Sequence, residues 1–167
     1  MIHVVVDDLA FVQADAVVRP ATDSLEPGTT TPTQLEQAGG FRFRKQLTTR
    51  ERLAVGAATV TGGGELPTQF VIHTIIRSGS EPITENGVRR ALVSALERAV
   101  AWQFRTLALP LLGTGPGDLS ARNAAAIVVG VLKTHARDHA FPSDIRIVVQ
   151  SDDDKNVLEG MLHVEEQ

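Results

Sequence analysis

Apolar residues along this chain come in two rhythms: short unbroken runs, and stripes spaced by three and four. Val4-Val5-Val6 and Ala14-Asp15-Ala16-Val17-Val18 read as strands, the second closed by Arg19-Pro20 because proline cannot donate to a sheet ladder. A short helix is predicted to open at Thr31-Pro32, with proline in the first helical position, and to end at Gly39-Gly40. Ala57 to Thr61 and Phe70 to Ile76 are the next strand candidates, divided by a turn containing Gly62-Gly63-Gly64 and Pro67. From about Thr84 to Gln103 the period changes, and Val88, Leu92, Ala95, Leu96 and Ala99 fall on one helical face. Thr106 to Leu112 is nearly continuous apolar chain, which suits a central strand covered on both faces. A second amphipathic helix follows Ser120, with Ala124, Ile127, Val128, Val131 and Leu132 on one side. Ile145 to Val149 is the last strand, and Asp152-Asp153-Asp154 opens a final helix carrying Val157, Leu158 and Met161.

Strands separated by helices imply an α/β fold: a three-layer α/β/α sandwich around a mixed, largely parallel central sheet. No internal repeat, low-complexity tract or long linker divides the chain, so residues 1–167 are read as one domain. With 43% hydrophobic and 22% charged residues, disordered and fibrous classes drop out. The absence of cysteine removes disulfide frameworks, thiolate nucleophiles and sulfur-bound zinc. No run approaches the ~18 apolar residues of a membrane span, and Asp7-Asp8 come too early for a secretory leader. A net charge of −4 and a pI near 5.7 argue against gripping nucleic acid. The expectation is a cytoplasmic protein with no cofactor, metal or membrane partner; its oligomeric state is not legible.

In open α/β sheets ligands bind beyond the carboxyl ends of the strands. That directs attention to Leu112-Gly113-Thr114-Gly115-Pro116-Gly117-Asp118-Leu119-Ser120, which follows the most apolar run and leads into a helix. Its glycines let backbone approach a ligand and turn successive N–H groups into one concavity, an arrangement suited to phosphate. No lysine follows the last glycine, so it is not a P-loop, and Asp118 spoils a dinucleotide fingerprint. A ligand-free strand-to-helix turn and a phosphate loop both remain open on the loop alone.

Several stretches together resemble the macrodomain family. Asp8-Leu9 sits where that family has G-D-I or G-D-L, and Ala14 to Thr22 is similar to its D-A-I-V-N-A-A-N strand. Thr61-Gly62-Gly63-Gly64-Glu65-Leu66-Pro67 with Phe70 to Thr74 resembles T-G-G-x-L-P-x-x-V-I-H-x-V, and Pro110 to Gly115 resembles the P-x-x-G-T-G phosphate loop. The matches come in family order and cover essentially the whole chain. The resemblance implies a pocket for ADP-ribose, free or attached to another molecule. Asp8 would accept a hydrogen bond from the adenine amino group beside the Leu9 N–H, which favours adenine because guanine presents a carbonyl there. Gly113, Thr114, Gly115, Pro116 and Gly117 would wrap the diphosphate and far ribose, with the Thr22 to Pro32 loop closing from the other side.

The departures bear on catalysis. The family's N-A-A-N reads Arg19-Pro20-Ala21-Thr22, so the asparagine that orients the far ribose in hydrolytic members becomes Thr22, the one weak catalytic candidate. Of the glycine-rich G-G-G-G-V-D only Gly28 survives, and the catalytic aspartate position is Pro32, which cannot transfer a proton. The implied function is ADP-ribose binding with weak or no hydrolysis. The alternatives are an ADP-ribosyl hydrolase acting on protein, O-acetyl-ADP-ribose or nucleic-acid ends, and a pocket diverged to another nucleotide or none. Relatives often stack adenine on an aromatic where this chain has Gln150; with no tyrosine, Phe11 or an aliphatic side chain would have to serve.

Other chemistry-bearing residues read more plainly as structure. His135 and His139 are four apart but lie in a basic last helical turn, which the helix dipole favours. His73 reads as a hydrogen-bonded core histidine, Asp152 to Asp154 as helix capping, and Trp102 as a core-edge residue. The basic stretch from Arg42 to Arg52 reads as an exposed helix face anchored by Phe41 and Phe43.

Overall fold

The computed structural model describes residues 1–28, 34–48, 51–79, 81–115 and 117–164. Its strands are β1 (Ile2–Val6), β2 (Ala16–Thr22), β3 (Ala58–Gly62), β4 (Phe70–Arg77), β5 (Thr106–Leu109) and β6 (Asp144–Val149). Its helices are α1 (Gln34–Ala38), α2 (Gly40–Lys45), α3 (Glu85–Ala101), α4 (Ala121–Asp138) and α5 (Asp152–His163), with a 3-10 turn at Leu9–Phe11 after β1. The sheet order is β1-β6-β5-β2-β4-β3, parallel throughout except for the antiparallel β3–β4 pair. This is the mixed, largely parallel sheet that the apolar runs predict.

The central strands lack polar alternation because both sheet faces are covered. Ala16 and Val18 enter one core with α3, α4 and α5, whereas Val17 enters the other with Leu35 and Phe43. Leu107 and Leu109 against Ala108, and Ile147 and Val149 against Val148, repeat the division. Each long helix starts on a hydroxyl cap that accepts a backbone hydrogen bond: Thr84 from Gly87, Ser120 from Asn123, and Ser151 from Asp154.

Three expectations change. Strand β2 does not close at Arg19-Pro20 but runs to Thr22. Its ladder to β5 ends at Val17–Ala108, so Pro20 has a partner strand only on the β4 side and its missing N–H removes no bond to β5. Strand β5 stops at Leu109, and Leu112 is buried in the loop that follows. Helix α1 ends at Ala38, just before Gly39-Gly40 as predicted, and Gly40 at φ +70° turns the chain into the separate helix α2. The predicted helix start at Thr31-Pro32 lies outside the described residues. Of the two phenylalanines on α2, Phe43 is buried and Phe41 is exposed, so only one is an anchor. Trp102 is half exposed and packs at the edge against Phe70 and Phe104.

Candidate functional site

The strand order lines up the carboxyl ends as a row. Asp8 follows β1, Gln150 follows β6, the Gly113–Gly117 loop follows β5, Thr22 ends β2 and Arg77 ends β4. Adjacent strands lie about 4.8 Å apart, so the row from β1 to β4 spans ~19 Å. That width suits an elongated ligand laid across the strand ends.

At one end, the Asp7 N–H donates to the Val149 carbonyl at 3.0 Å, holding the turn after β1 beside the end of β6. Asp8 caps that turn, its Oδ1 accepting from the Ala10 N–H at 2.9 Å. One carboxylate oxygen is thereby used to shape the turn, and Asp8 and Leu9 both stay half-buried at the rim. Gln150 is exposed beside them, and Phe11, on the same turn, is 57% exposed.

In the middle, the loop after β5 is built from backbone. Gly113 and Gly117 sit at φ +89° and +79°, where side chains are disfavoured. A Cβ on Gly113 would also come within 2.9 Å of Val88 and 3.0 Å of Leu119. The loop closes on its own carbonyls: Leu119 N–H donates to Gly113 and Asp118 N–H to Gly115, each at 3.0 Å. Thr114 Oγ1 donates to the Leu111 carbonyl at 2.9 Å and is spent on loop shape. Pro116 lies outside the described residues. Helix α4 starts behind the loop with no acidic residue in its first turn, so its dipole adds to the loop amides.

Thr22 is buried, and its hydroxyl is engaged locally. Its Oγ1 accepts from the Glu26 N–H at 3.2 Å and lies 3.2 Å from Ser24 Oγ, closing a turn in which Leu25 adopts φ +66°. Gly28 is required by packing, since its N–H donates to the Pro20 carbonyl and a Cβ there would lie 2.9 Å from the Pro20 carbonyl carbon.

Two arrangements escape sequence reasoning. Arg19 is fully buried, with Nε donating to Glu36 Oε1 at 2.8 Å and Nη2 donating to the Leu25 carbonyl at 3.0 Å. Its Nη1 lies 3.1 Å from His73 Nδ1, and His73 Nε2 lies 2.7 Å from Thr61 Oγ1. Burial pulls the Arg19 pKa below its usual range, and the Glu36 carboxylate opposes that pull. Burial, then the Arg19 charge, push His73 down to about 3, so this imidazole is neutral and cannot act as a base near neutral pH. An arginine inside an apolar strand must find a buried partner, and that rule could have pointed to Glu36. The second arrangement is an ion pair between Arg77, at the end of β4, and Asp118 in the glycine loop. Next to it, Asp23 accepts from Gly79 N–H, Ser78 and Arg52; burial alone would raise its pKa, but these contacts bring it below the usual carboxylate value.

His135 and His139 serve the end of α4, where their rings stack with centroids 4.3 Å apart and His135 Nε2 meets the Phe141 carbonyl at 2.8 Å. No helix among the described residues is long and apolar enough to cross a membrane.

Comparison with known proteins bears on this edge. An O-acetyl-ADP-ribose deacetylase from Citrobacter rodentium is 28% identical over 167 residues, covering 96% of this chain and 94% of that protein. An uncharacterized protein from Aeropyrum pernix is 33% identical over 125 residues, covering 71% of this chain and 63% of that one. The chain spans only 36% of a similar Mycobacterium tuberculosis protein, with which it shares 27% identity over 128 residues. Among solved structures, a macrodomain of Oceanobacillus iheyensis with ADPR superposes at a TM-score of 0.85 and 22% identity, covering 98% of this chain and 93% of that one. A Trypanosoma brucei macrodomain in complex with ADP-ribose gives a TM-score of 0.85 at 19% identity, covering 96% of this chain and 68% of that one. At these identities the likeness is one of fold. The family described as Macro domain matches residues 18–128. That match starts inside β2, takes in the glycine loop and ends within α4, and it makes this chain a member of the Macro domain family.

Proposed function

We propose that this chain binds ADP-ribose, free or as a derivative carried on a larger molecule, across the carboxyl edge of its sheet, with weak or no hydrolysis. The observation that carries the reading is the backbone-built Gly113–Gly117 loop, with Asp8 two strands away on one side and Thr22 one strand away on the other. The diphosphate meets the loop amides and the α4 N-terminus, while adenine meets Asp8 and Leu9. The solved macrodomains with ADPR and ADP-ribose support the reading at the level of the fold. Weak hydrolysis follows from the side chains: Pro32 offers no proton, and the Thr22 hydroxyl is taken up by its own turn. Calorimetry of ADP-ribose, AMP and GDP-ribose tests the assignment. Binding of ADP-ribose in preference to the guanine analogue is expected; no heat at millimolar ligand, or equal affinities, would sink it.

The Citrobacter rodentium deacetylase, similar over nearly its whole length, favours a second reading in which the same cleft releases acetate from O-acetyl-ADP-ribose. Incubation with that ester and chromatography of the products decides it, and turnover at buffer background ends it.

A further inference from the structure

We propose that the groove between α3 and α4 is a self-association surface, which a second copy of this chain covers about a two-fold axis. Helix α3 follows β4 and α4 follows β5, and both strands run parallel to β2, so the two helices return from the carboxyl edge side by side in the same direction. Between them lies a groove of about 660 Å³, walled from Arg89 to Val100 on one side and from Ala126 to His139 on the other. Its floor includes the buried Leu96 and Ile127, while Val93 stands on its wall with 42% of its surface exposed. The groove starts about a turn into α3 and runs away from the carboxyl edge, so the proposal stands apart from the ADP-ribose reading.

The charges along the groove choose the occupant. Arg89, Val93 and Glu97 follow one another at four-residue spacing on one face of α3, with a cation at one end, an anion at the other and an apolar side chain between. A half-turn about Val93 exchanges the two charged positions. A second copy laid face to face, about an axis crossing the groove at Val93, therefore runs its α3 antiparallel to the first. Arg89 of each copy then meets Glu97 of the other, the reciprocal pairing that a two-fold interface requires. Asp138 adds a second carboxylate at the Glu97 end of the groove. None of Arg89, Glu97 and Asp138 has an ion-pair partner among the described residues.

A foreign protein would need the same alternation of sign around an apolar centre, whereas a second copy has it by symmetry. Across the groove, mid-helix Gly130 is exposed, and a Cβ there would meet nothing within 4 Å in its own chain. Glycine weakens a helix interior relative to alanine, so the close approach it permits is one from outside. Helices of 17 and 18 residues are about 26 Å long and about 10 Å wide, so the face each copy can bury, roughly 500 Å², falls short of the ~800 Å² of a standard interface. The dimer is therefore weak and concentration-dependent, and it points the carboxyl edges of the two copies in opposite directions.

Sedimentation velocity of the full chain between about 10 μM and about 1 mM is expected to show the average mass rising from monomer towards dimer, as a face of this size implies. Arg89→Glu and Glu97→Arg each set like charges opposite one another, and each should weaken the dimer at least about tenfold. An equimolar mixture of the two variants restores two opposite-charge pairs, so it should associate as the unaltered chain does. Gly130→Trp has room for its side chain in the single copy, so it should stay monomeric while its melting temperature, read at the dilute end, holds. An unaltered chain that stays monomeric to the top of that range overturns the proposal, whatever the variants do, and gives the groove to a different occupant. A dimer that neither charge reversal weakens overturns it too, as does a mixture no tighter than the separate variants, because Arg89 and Glu97 would then not face one another.

Discussion

Two neighbouring regions at the carboxyl edge solve opposite problems. Beneath β2 and β4, Arg19, Glu36, His73 and Thr61 bury their polar groups on one another, and Phe43 packs along the Arg19 guanidinium at 6.0 Å. After β5, the glycine loop carries few side chains and presents backbone. The first region is paired within the protein and has little left to offer a ligand. The second is built on glycine backbone and closed by bonds from the Asp118 and Leu119 N–H groups to its own carbonyls. A position that differs from the family pattern, as Arg19 does, has become part of the scaffold, and under the proposed function the binding chemistry falls to the backbone loop.

Substitutions can break this comparison. The largest effect is expected from Gly115→Glu, whose side chain would enter the space for phosphate from a backbone at φ +153° and crowd Asp118. Calorimetry should show no ADP-ribose binding, and the strained backbone should lower the melting temperature by several degrees as well. Next, Arg19→Met removes the cation from a buried ion pair and should cost about 3–5 kcal/mol of stability in urea unfolding. ADP-ribose affinity at a temperature where the variant is folded should change far less than in Gly115→Glu. If Arg19→Met loses binding to the same extent, the two regions are one unit and the comparison fails.

The buried histidine sharpens the contrast through pH. With a folded value of about 3 against 6.5 in the unfolded chain, His73 takes up its proton only on unfolding across that window. Stability from this site is therefore full above about pH 6.5 and is lost as pH falls towards 3, at about 1.4 kcal/mol per pH unit. Urea midpoints between pH 7 and 5 should show this slope, and His73→Gln should flatten it. The smallest effect is expected from Asp8→Ala. It loses a turn cap worth about 1 kcal/mol and, in competition titrations, the preference for adenine over guanine.

Much of the fold was legible because covered strands and amphipathic helices leave periodic marks. Val88 to Ala99 and Ala124 to Leu132 became the inner faces of α3 and α4, and the hydroxyls before the helices became their caps. The glycine loop was legible for a related reason, since glycines clustered after an apolar run imply backbone turned towards something. Pro20 misled, because a proline ends a strand only where a neighbour needs its N–H. Arg77 and Asp118 gave no signal, being 41 residues apart in unremarkable contexts.

The amino-acid order by itself determined which segments are strands and helices, which faces are buried and which loop is built of glycine, because these depend on periodicity and local backbone freedom. Only the tertiary structure decided which charges meet. The crossovers bring β2 beside β4 and β5, and that placement alone sets His73 next to Arg19 and Asp118 next to Arg77. Coulombic and hydrogen-bond energies depend on distances of a few ångströms in space, and separation along the chain does not record them.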